Sequence, residues 1–504
     1  MLRVPQSLQG VVLGFAILWG LPARAEGPVW NRVRTLPSAD AHQAAAADDE
    51  FLYAISSTRI VKYDRFTDRE AGVSRGPAKH LNSGFLWEGK VYCAHSNYPA
   101  VPEQSEILVL DPASMELTTF HEFGNAGGSL TWAIRDAKHW WFNFARYGES
   151  NAETFLVRYD LDWKETGRWT YPRELIARLG RNSLSGGVFA DGEGPAFLVT
   201  GHDDKVLFRV AVPPPPSQVL SFEGEIAVPF TGQGIARDPR TGGLVGIDRA
   251  RKQILVAELE NPRRLRVLSY NIHHGEGEDG KLDLERIAGV ILSVRPDVVA
   301  LQEVDRNVPR SQTVDQTAEL ARLTKMEGLF DANIPLQGGE YGNALLSRLP
   351  VARTTHHALP LLGPGEQRGV LEAEVALPLD APGGTPRTVR LFATHFDHRP
   401  DNRERLASAD VLLDLLKQSP DTPAVLAGDL NDTPASIVLK RLETGWSRGG
   451  LRDIPTIPAE VPKRQIDFVL AAPNEGWRVV DAHVLNEPVA SDHRPLLVVL
   501  ERVR

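Results

Sequence analysis

Two domains of different class are predicted, an all-β N-terminal half and an α/β C-terminal half. Three observations predict them. The chain has 504 residues, too many for a single hydrophobic core. Its first half carries short apolar β runs that recur in pairs, with almost no helical periodicity. Its second half alternates apolar runs with amphipathic helical segments. The 42% hydrophobic and 24% charged content is ordinary for a globular protein.

The chain opens with Arg3, an apolar run from Val11 to Leu21, and Ala23-Arg-Ala25. This charged, apolar, small-x-small order predicts a secretory signal peptide over residues 1–25. A membrane span needs about 20 apolar residues, so the run is short for one. An uncleaved anchor is the second reading. The mature chain is expected to be periplasmic or extracellular, with no integral membrane span. Cys93 is the single cysteine, which excludes an intramolecular disulfide. Its apolar surroundings predict a small core residue. The net charge of −9, with no lysine-rich tail, argues against a dedicated non-specific nucleic-acid binder. It leaves room for an enzyme that meets phosphates through a metal.

Residues 28–260 are expected to form the first domain. Phe51-Leu-Tyr-Ala pairs with Arg59-Ile-Val-Lys-Tyr-Asp64, and Lys90-Val-Tyr-Cys-Ala with Ile107-Leu-Val-Leu-Asp111. Trp140-Trp-Phe-Asn-Phe pairs with Phe155-Leu-Val-Arg-Tyr-Asp160. Ala196-Phe-Leu-Val-Thr pairs with Lys205-Val-Leu-Phe-Arg-Val210, and Gly243-Leu-Val-Gly-Ile with Gln253-Ile-Leu-Val-Ala257. A spacing of roughly 40 to 55 residues suits blades of four strands, and five pairs predict a five-bladed β-propeller. A β-sandwich with long loops is the alternative. Arg173 to Leu179 is the one good helical candidate, and Pro213 to Pro216 reads as a stiff loop. Trp140, Trp141 and Trp169 read as buried tryptophans rather than a ligand surface, His121, His139 and His202 show no ligand spacing, and no chemistry is assigned to this domain.

Residues 263–504 are expected to form the second domain, with Asn261-Pro-Arg-Arg264 as the seam. Arg266 to Tyr270 and Val298 to Leu301 read as strands. Asp283 to Val294 and Arg403 to Gln418 read as helices with one apolar face. Ala344–Ser347, Val389–Thr394, Ala424–Ala427, Ile466–Leu470 and Leu496–Leu500 read as further strands, with Gly428 ending the third.

Polar groups cluster where these runs end. Asn271, His273 and His274 follow the first strand, and Gln302-Glu303 the second. His395-Phe-Asp397-His398 follows another. Asp429 and Asn431 stand one residue apart beyond Ala424–Ala427, where open α/β sheets present ligand groups. Asp467 lies inside an apolar strand, where an unpaired carboxylate is costly. Ser491-Asp-His-Arg-Pro495 precedes the last strand. Singly, a strand-end Asn or Asp is usually a turn former. Jointly, carboxylates, amides and histidines at one end of many strands fit hard-cation chemistry, Mg²⁺ with Mn²⁺ as an alternative.

Ser269-Tyr-Asn-Ile-His-His-Gly275, Pro296-Asp-Val-Val-Ala-Leu-Gln-Glu-Val304, Ala393-Thr-His395, Ala427-Gly-Asp-Leu-Asn431, Ile466-Asp-Phe468 and Ala490-Ser-Asp-His-Arg-Pro495 resemble the endonuclease/exonuclease/phosphatase superfamily. The blocks stand in the family's order and cover nearly all of the second domain. The resemblance implies a deoxyribonuclease-like four-layer sandwich with two mixed sheets between helices. It implies Glu303 as principal metal ligand, with Asn271 beside it and Asp492 as a further or water-mediated ligand. Asp467 would orient His493, the general base or a phosphate contact. Asp429 would orient or deprotonate the attacking water, Asn431 would bind the phosphoryl oxygen, and His395 would contact the opposite oxygen or protonate the leaving group. Asn343 and Arg368 are expected on the substrate side. Ala393-Thr-His-Phe396 departs from the Asn-x-Tyr-like block of the abasic-site branch, and His273 stands where that branch tends to carry an acid. Both departures argue against abasic-site repair, and His395 is similar to the deoxyribonuclease, sphingomyelinase and inositol-phosphatase branches.

The expected function is metal-dependent hydrolysis of a phosphodiester or phosphomonoester by in-line attack of water. Nucleic acid, a phospholipid head group or a sugar or inositol phosphate would be the substrate. The alternative is a non-catalytic binding protein whose propeller recognises a surface or polymer ligand.

Overall fold

The structure is a computed structural model and describes residues 29–190, 196–377 and 387–503. The expected signal peptide, residues 1–25, lies outside the described residues.

The N-terminal half is built from five four-stranded antiparallel groups. The first comprises Ala44–Ala47, Phe51–Ile55, Ile60–Asp64 and Glu70–Val73. The second comprises His80–Trp87, Lys90–Ser96, Ser105–Asp111 and Glu116–Gly124. The third comprises Ser129–Arg135, His139–Ala145, Phe155–Asp160 and Glu165–Thr170. The fourth comprises Gly186–Phe189, Ala196–Thr200, Val206–Ala211 and Ser221–Ala227. The fifth comprises Thr231–Arg237, Leu244–Asp248 and Gln253–Leu259, and takes Trp30–Pro37 as its fourth strand, with Trp30 opposite Leu259.

The strand pairs read from the sequence are the second and third members of these groups. They are apolar on both faces because they are covered on both. The first strands pack against one another in a closed succession, the fifth returning to the first through Gly234 and Ala44. Backbones approach closely here. A Cβ on Gly234 would lie 2.5 Å from the Ala44 Cβ and 2.9 Å from the Ser83 Cα. Cys93 is fully buried in this core.

The C-terminal half holds two mixed sheets. The six-stranded sheet runs Glu327–Leu336, Gly339–Ser347, Val298–Arg306, Arg264–Asn271, Leu496–Arg502, Trp477–Val484. The five-stranded sheet runs Val351–Ala358, Gly369–Leu377, Arg387–His395, Ala424–Asp429, Asp467–Ala472. Each contains one parallel pair, Arg264–Asn271 with Val298–Arg306 and Arg387–His395 with Ala424–Asp429. The sheets face each other across Val267, Ala300, Leu391, Ala427 and Leu496. Leu284–Ser293 and Gln316–Thr324 cover the outer face of the first sheet, and Arg403–Lys417 and Ile437–Leu442 that of the second. Asp283 starts the first helix by accepting from Arg286 N at 2.8 Å. The Ala424 strand runs through Gly428 to Asp429 rather than stopping at Gly428, because its parallel partner carries the ladder to His395.

The halves are locked together. Phe66, from the first group, packs into the apolar layer between the two C-terminal sheets. Its carbonyl accepts from Val484 N at 2.8 Å. Arg65 is fully buried, bound by Asp238 of its own half (Nη1 to Oδ1, 2.8 Å) and Asp481 of the other (Nε to Oδ1, 3.2 Å). Arg240 Nε donates to Val480 O at 3.0 Å, and Arg266 Nη2 to Val33 O at 3.1 Å.

Candidate active site

Both parallel pairs end at the same place. In the first sheet Asn271 stands level with Gln302; in the second His395 stands level with Asp429, and Asp429 with Asp467. The facing sheets therefore deliver their strand-end side chains to one point. Asn271 Nδ2 reaches Glu303 Oε1 at 2.9 Å and Asp429 Oδ2 at 3.2 Å, tying the sheets together. Asp429 Oδ1 accepts from Asn431 N at 2.8 Å, and Asn431 Nδ2 donates to Phe396 O at 3.1 Å. Asp429 Oδ2 also faces His395 Nε2 at 3.5 Å and His493 Nε2 at 3.7 Å. His493 Nδ1 lies 2.9 Å from Asp467 Oδ2. Ser491 Oγ donates to Asn271 O at 2.7 Å and accepts from His493 N at 3.2 Å, which fixes the loop carrying the histidine.

Four residues of the site have left-handed backbone. Glu303 (φ 59°), Asn431 (φ 49°), His273 (φ 45°) and His274 (φ 43°) all adopt the left-handed region, which costs a side-chain-bearing residue energy. Asn431, His273 and His274 sit just past strand ends, and Glu303 sits inside Val298–Arg306, where its pairing with Gly339–Ser347 shifts register between Leu301 and Val304.

The two histidines are held in opposite states. His395 is buried, and burial, together with Arg368, His493 and His398, drives its pKa well below 6.5. Arg368 Nη1 lies 3.0 Å from its Nδ1. A guanidinium can only donate, so Nδ1 is an acceptor; Nε2 lies 3.0 Å from Asn431 Nδ2 and 3.5 Å from Asp429 Oδ2. Burial opposes a charge on His493 too. There Asp467, through its charge and hydrogen bond, then Asp429 and Asp492, outweigh it and raise the pKa to about 10. Asp429 is pushed up by burial and by Asp467, against the pull of His493. Arg368 is itself buried and ion-paired to Glu366 at 2.7 Å.

Of the ten residues predicted from the sequence, Asn271, Glu303, His395, Asp429, Asn431, Asp467, His493 and Arg368 fall in this one connected network. Asp492 adjoins His493, and its Oδ1 accepts from Ser491 Oγ at 3.3 Å. Asn343 is buried and donates from Nδ2 to Gly369 O at 3.0 Å, next to Arg368; its Oδ1 has no partner among the described residues. The donors suit a hard cation: two carboxylates, Glu303 and Asp429, gather on the single amide of Asn271. Side-chain atoms of His273, His274 and Glu303 also lie within 4.8 Å of one another and could hold an ion, as could those of Asp429, Asp467 and His493. His273 and His274 had been noted at a strand end without a role. His398, which the sequence shows at a strand end, and Tyr341 and Glu366, to which no role is assigned from the sequence, gather around Arg368.

These residues define the domain. The C-terminal region carries the domain of the Endonuclease/Exonuclease/phosphatase family, whose model matches residues 268–493; the match covers none of residues 29–260. A 5'-tyrosyl-DNA phosphodiesterase of Caenorhabditis elegans is 23% identical over 232 residues, which are 44% of this chain and 59% of that relative. The chain thus spans less than two thirds of that relative's length. Among solved structures, an endonuclease/exonuclease/phosphatase from Beutenbergia cavernae is 29% identical, with a TM-score of 0.41, over 48% of this chain and 72% of the other. A mannosyl-6-phosphatase from Bacteroides thetaiotaomicron is 17% identical, with a TM-score of 0.38, over 48% of this chain and 100% of the other.

Proposed function

We propose that the C-terminal half is a divalent-metal-dependent phosphoesterase that hydrolyses a phosphodiester by in-line attack of water. The observation that carries this reading is the single network joining Asn271, Glu303, His395, Asp429, Asn431, Asp467 and His493 across two facing sheets. Glu303 and Asn271, with Asp492, would hold Mg²⁺ or Mn²⁺. Such an ion supplies Lewis-acid stabilisation of charge on the phosphoryl oxygens. Asp429, buried among donors, aligns the attacking water and receives its proton. Asn431 offers its amide to a phosphoryl oxygen. His493, charged and clamped by Asp467, offers Nε2–H to an oxygen that gains negative charge. His395 stands beside Asn431 at the phosphoryl oxygens, with Arg368 holding its ring and adding positive charge behind it.

The test is hydrolysis of bis-p-nitrophenyl phosphate with Mg²⁺, with Mn²⁺ and with chelator, extended to p-nitrophenyl phosphate, DNA, sphingomyelin and sugar phosphates. Turnover that chelation abolishes supports the reading, and the preferred substrate names the class. No metal-dependent turnover on any of them refutes it.

We read the N-terminal half as a five-bladed propeller, supported by five four-stranded groups, a closed succession of first strands and a last group completed by the N-terminal strand. Residues 28–260 then position the enzyme of residues 263–504 on a surface or polymer. The leader-like residues 1–25 support export to the periplasm or beyond.

A further inference from the structure

The two ends of the N-terminal ring differ. The catalytic half docks where the first strands finish, through Arg65, Asp238 and Arg240. At the other end, where the first strands begin, four groups contribute to one cluster. His42 precedes the Ala44–Ala47 strand and His80 opens the second group. His202 follows Ala196–Thr200, and Arg249 follows Leu244–Asp248. Arg249 Nη1 lies 3.2 Å from His202 Nε2, and Nη2 lies 3.2 Å from His42 Nε2. Arg249 N bonds Thr231 Oγ1 at 3.2 Å, and Gln233 Nε2 bonds His202 O at 2.8 Å, which pins both loops to the start of the fifth group.

The chemistry of this cluster is unbalanced. A guanidinium normally faces a carboxylate, yet Arg249 spends both terminal nitrogens on imidazoles. Among the described residues no carboxylate oxygen lies within ion-pair distance of it. The nearby acids are engaged elsewhere, Asp248 by Arg251 (2.8 Å) and Lys205 (3.4 Å), and Asp40 by Arg59 (2.7 Å). His202 gives Nδ1 to Asp203 Oδ2 at 2.6 Å, the tautomer that Arg249 requires. Burial lowers the pKa of His42 and His80, and the positive neighbours Arg249, His202, Lys252 and His95 lower them further. One wall is aromatic: Tyr98 is 45% exposed, and its ring stands 5.2 Å from His80 and 5.5 Å from Tyr147.

We propose that this mouth of the ring binds an oxyanion, a phosphate or carboxylate group of a larger ligand, on Arg249 with His42 and His202, beside His80 and Tyr98. The imidazoles now hold the guanidinium in place, and an arriving oxyanion takes over its N–H groups in a charge-assisted contact. The site faces away from the docking end, so an occupant tethers the protein without covering the catalytic pocket. The proposal deepens the positioning role given above for the N-terminal half and is independent of the catalytic reading.

The experiment titrates the full-length folded chain with inorganic phosphate and, separately, with acetate, following the imidazole resonances of His42, His80 and His202. Saturable shifts are expected, and Arg249→Gln should weaken binding by about tenfold or more, since one charged contact is lost. Should that variant fail to fold, Arg249→Lys keeps the charge, loses the fork and should bind more weakly than wild type. Co-sedimentation with phosphatidylglycerol vesicles that Arg249→Gln abolishes would identify a lipid head group as the source; saturable shifts without sedimentation would identify a soluble ligand. Resonances that stay fixed at high concentrations of both anions, or affinities equal in wild type and variant, overturn the proposal. Resonances at this mouth report binding here whether or not the catalytic half turns over a phosphoester.

Discussion

Replacing Asp481 with Asn should loosen the two halves from each other. Asp481 is buried and lies 3.2 Å from Arg65 Nε and 3.7 Å from Arg240 Nε. Charges at 3.2 Å interact by about 5 kcal/mol at an effective dielectric of 20, before the cost of burial. Truncating one partner of a buried pair typically costs about 3 to 5 kcal/mol. Arg65 keeps its two contacts with Asp238, so the lower value applies, about 3 kcal/mol. That is a drop of roughly 6 °C or more in Tm for a domain of this size. The pH dependence has a definite sign. Burial opposes the charge of Asp481, yet Arg65, Arg34, His483 and Arg240 outweigh it and hold its carboxyl well below the usual range. A depressed folded pKa contributes stability that is complete above the unfolded value of about 3.9 and is lost as pH falls below it. Calorimetry at pH 7 should show Asp481→Asn melting lower, with the transitions of the halves drawn apart, and the difference should shrink at pH 3. A variant within 1 °C of wild type at pH 7, or an equal difference at both pH values, would refute the reasoning.

Three further changes probe the site. Asp467→Asn removes the charge that clamps His493 at 2.9 Å and should lower kcat about 10²-fold or more with little change in KM; kcat within threefold of wild type would remove Asp467 from the machinery. Glu303→Gln should cut turnover by about 10³-fold and weaken Mg²⁺ binding, read directly by calorimetric titration with the metal, if that carboxylate is the principal ligand. Arg368→Lys keeps the charge but loses the fixed fork at His395, and should lower kcat/KM about tenfold with a shift of the His395 Nδ1 resonance in nitrogen NMR; an unshifted resonance would refute the role given to the guanidinium.

What could be read in advance follows burial. Strands covered on both faces, such as Lys90–Ser96 and Gln253–Leu259, are continuous apolar runs and were legible. The outer strands are not. Ser221–Ala227 alternates exposed and half-buried residues and reads as loop. Ala44–Ala47 was invisible for the opposite reason: alanine favours helix in isolation, and only close packing at the centre of the N-terminal half makes a strand of it. The Leu284–Ser293 and Arg403–Lys417 helices showed their apolar faces, whereas Gln316–Thr324 is short and polar enough to hide. In the site, residues within motifs were legible because chemistry restricts their type. Glu366 and His398 lie outside the motifs, and only the fold brings them to Arg368. The His273-His274 turn was visible as residues; its left-handed backbone, which aims the imidazoles toward Glu303, was not.

The pairing of Trp30–Pro37 with Gln253–Leu259 sets a schedule for biogenesis. The earlier strand of this pair cannot find its place until the later one has emerged, so the N-terminal half cannot finish folding piece by piece as it is synthesised. Until then one edge of the fifth group lies open to foreign strands. A ribosome stalled before Leu259 should therefore display a chain that proteases still cut near its beginning, and release past that point should seal it in one cooperative step.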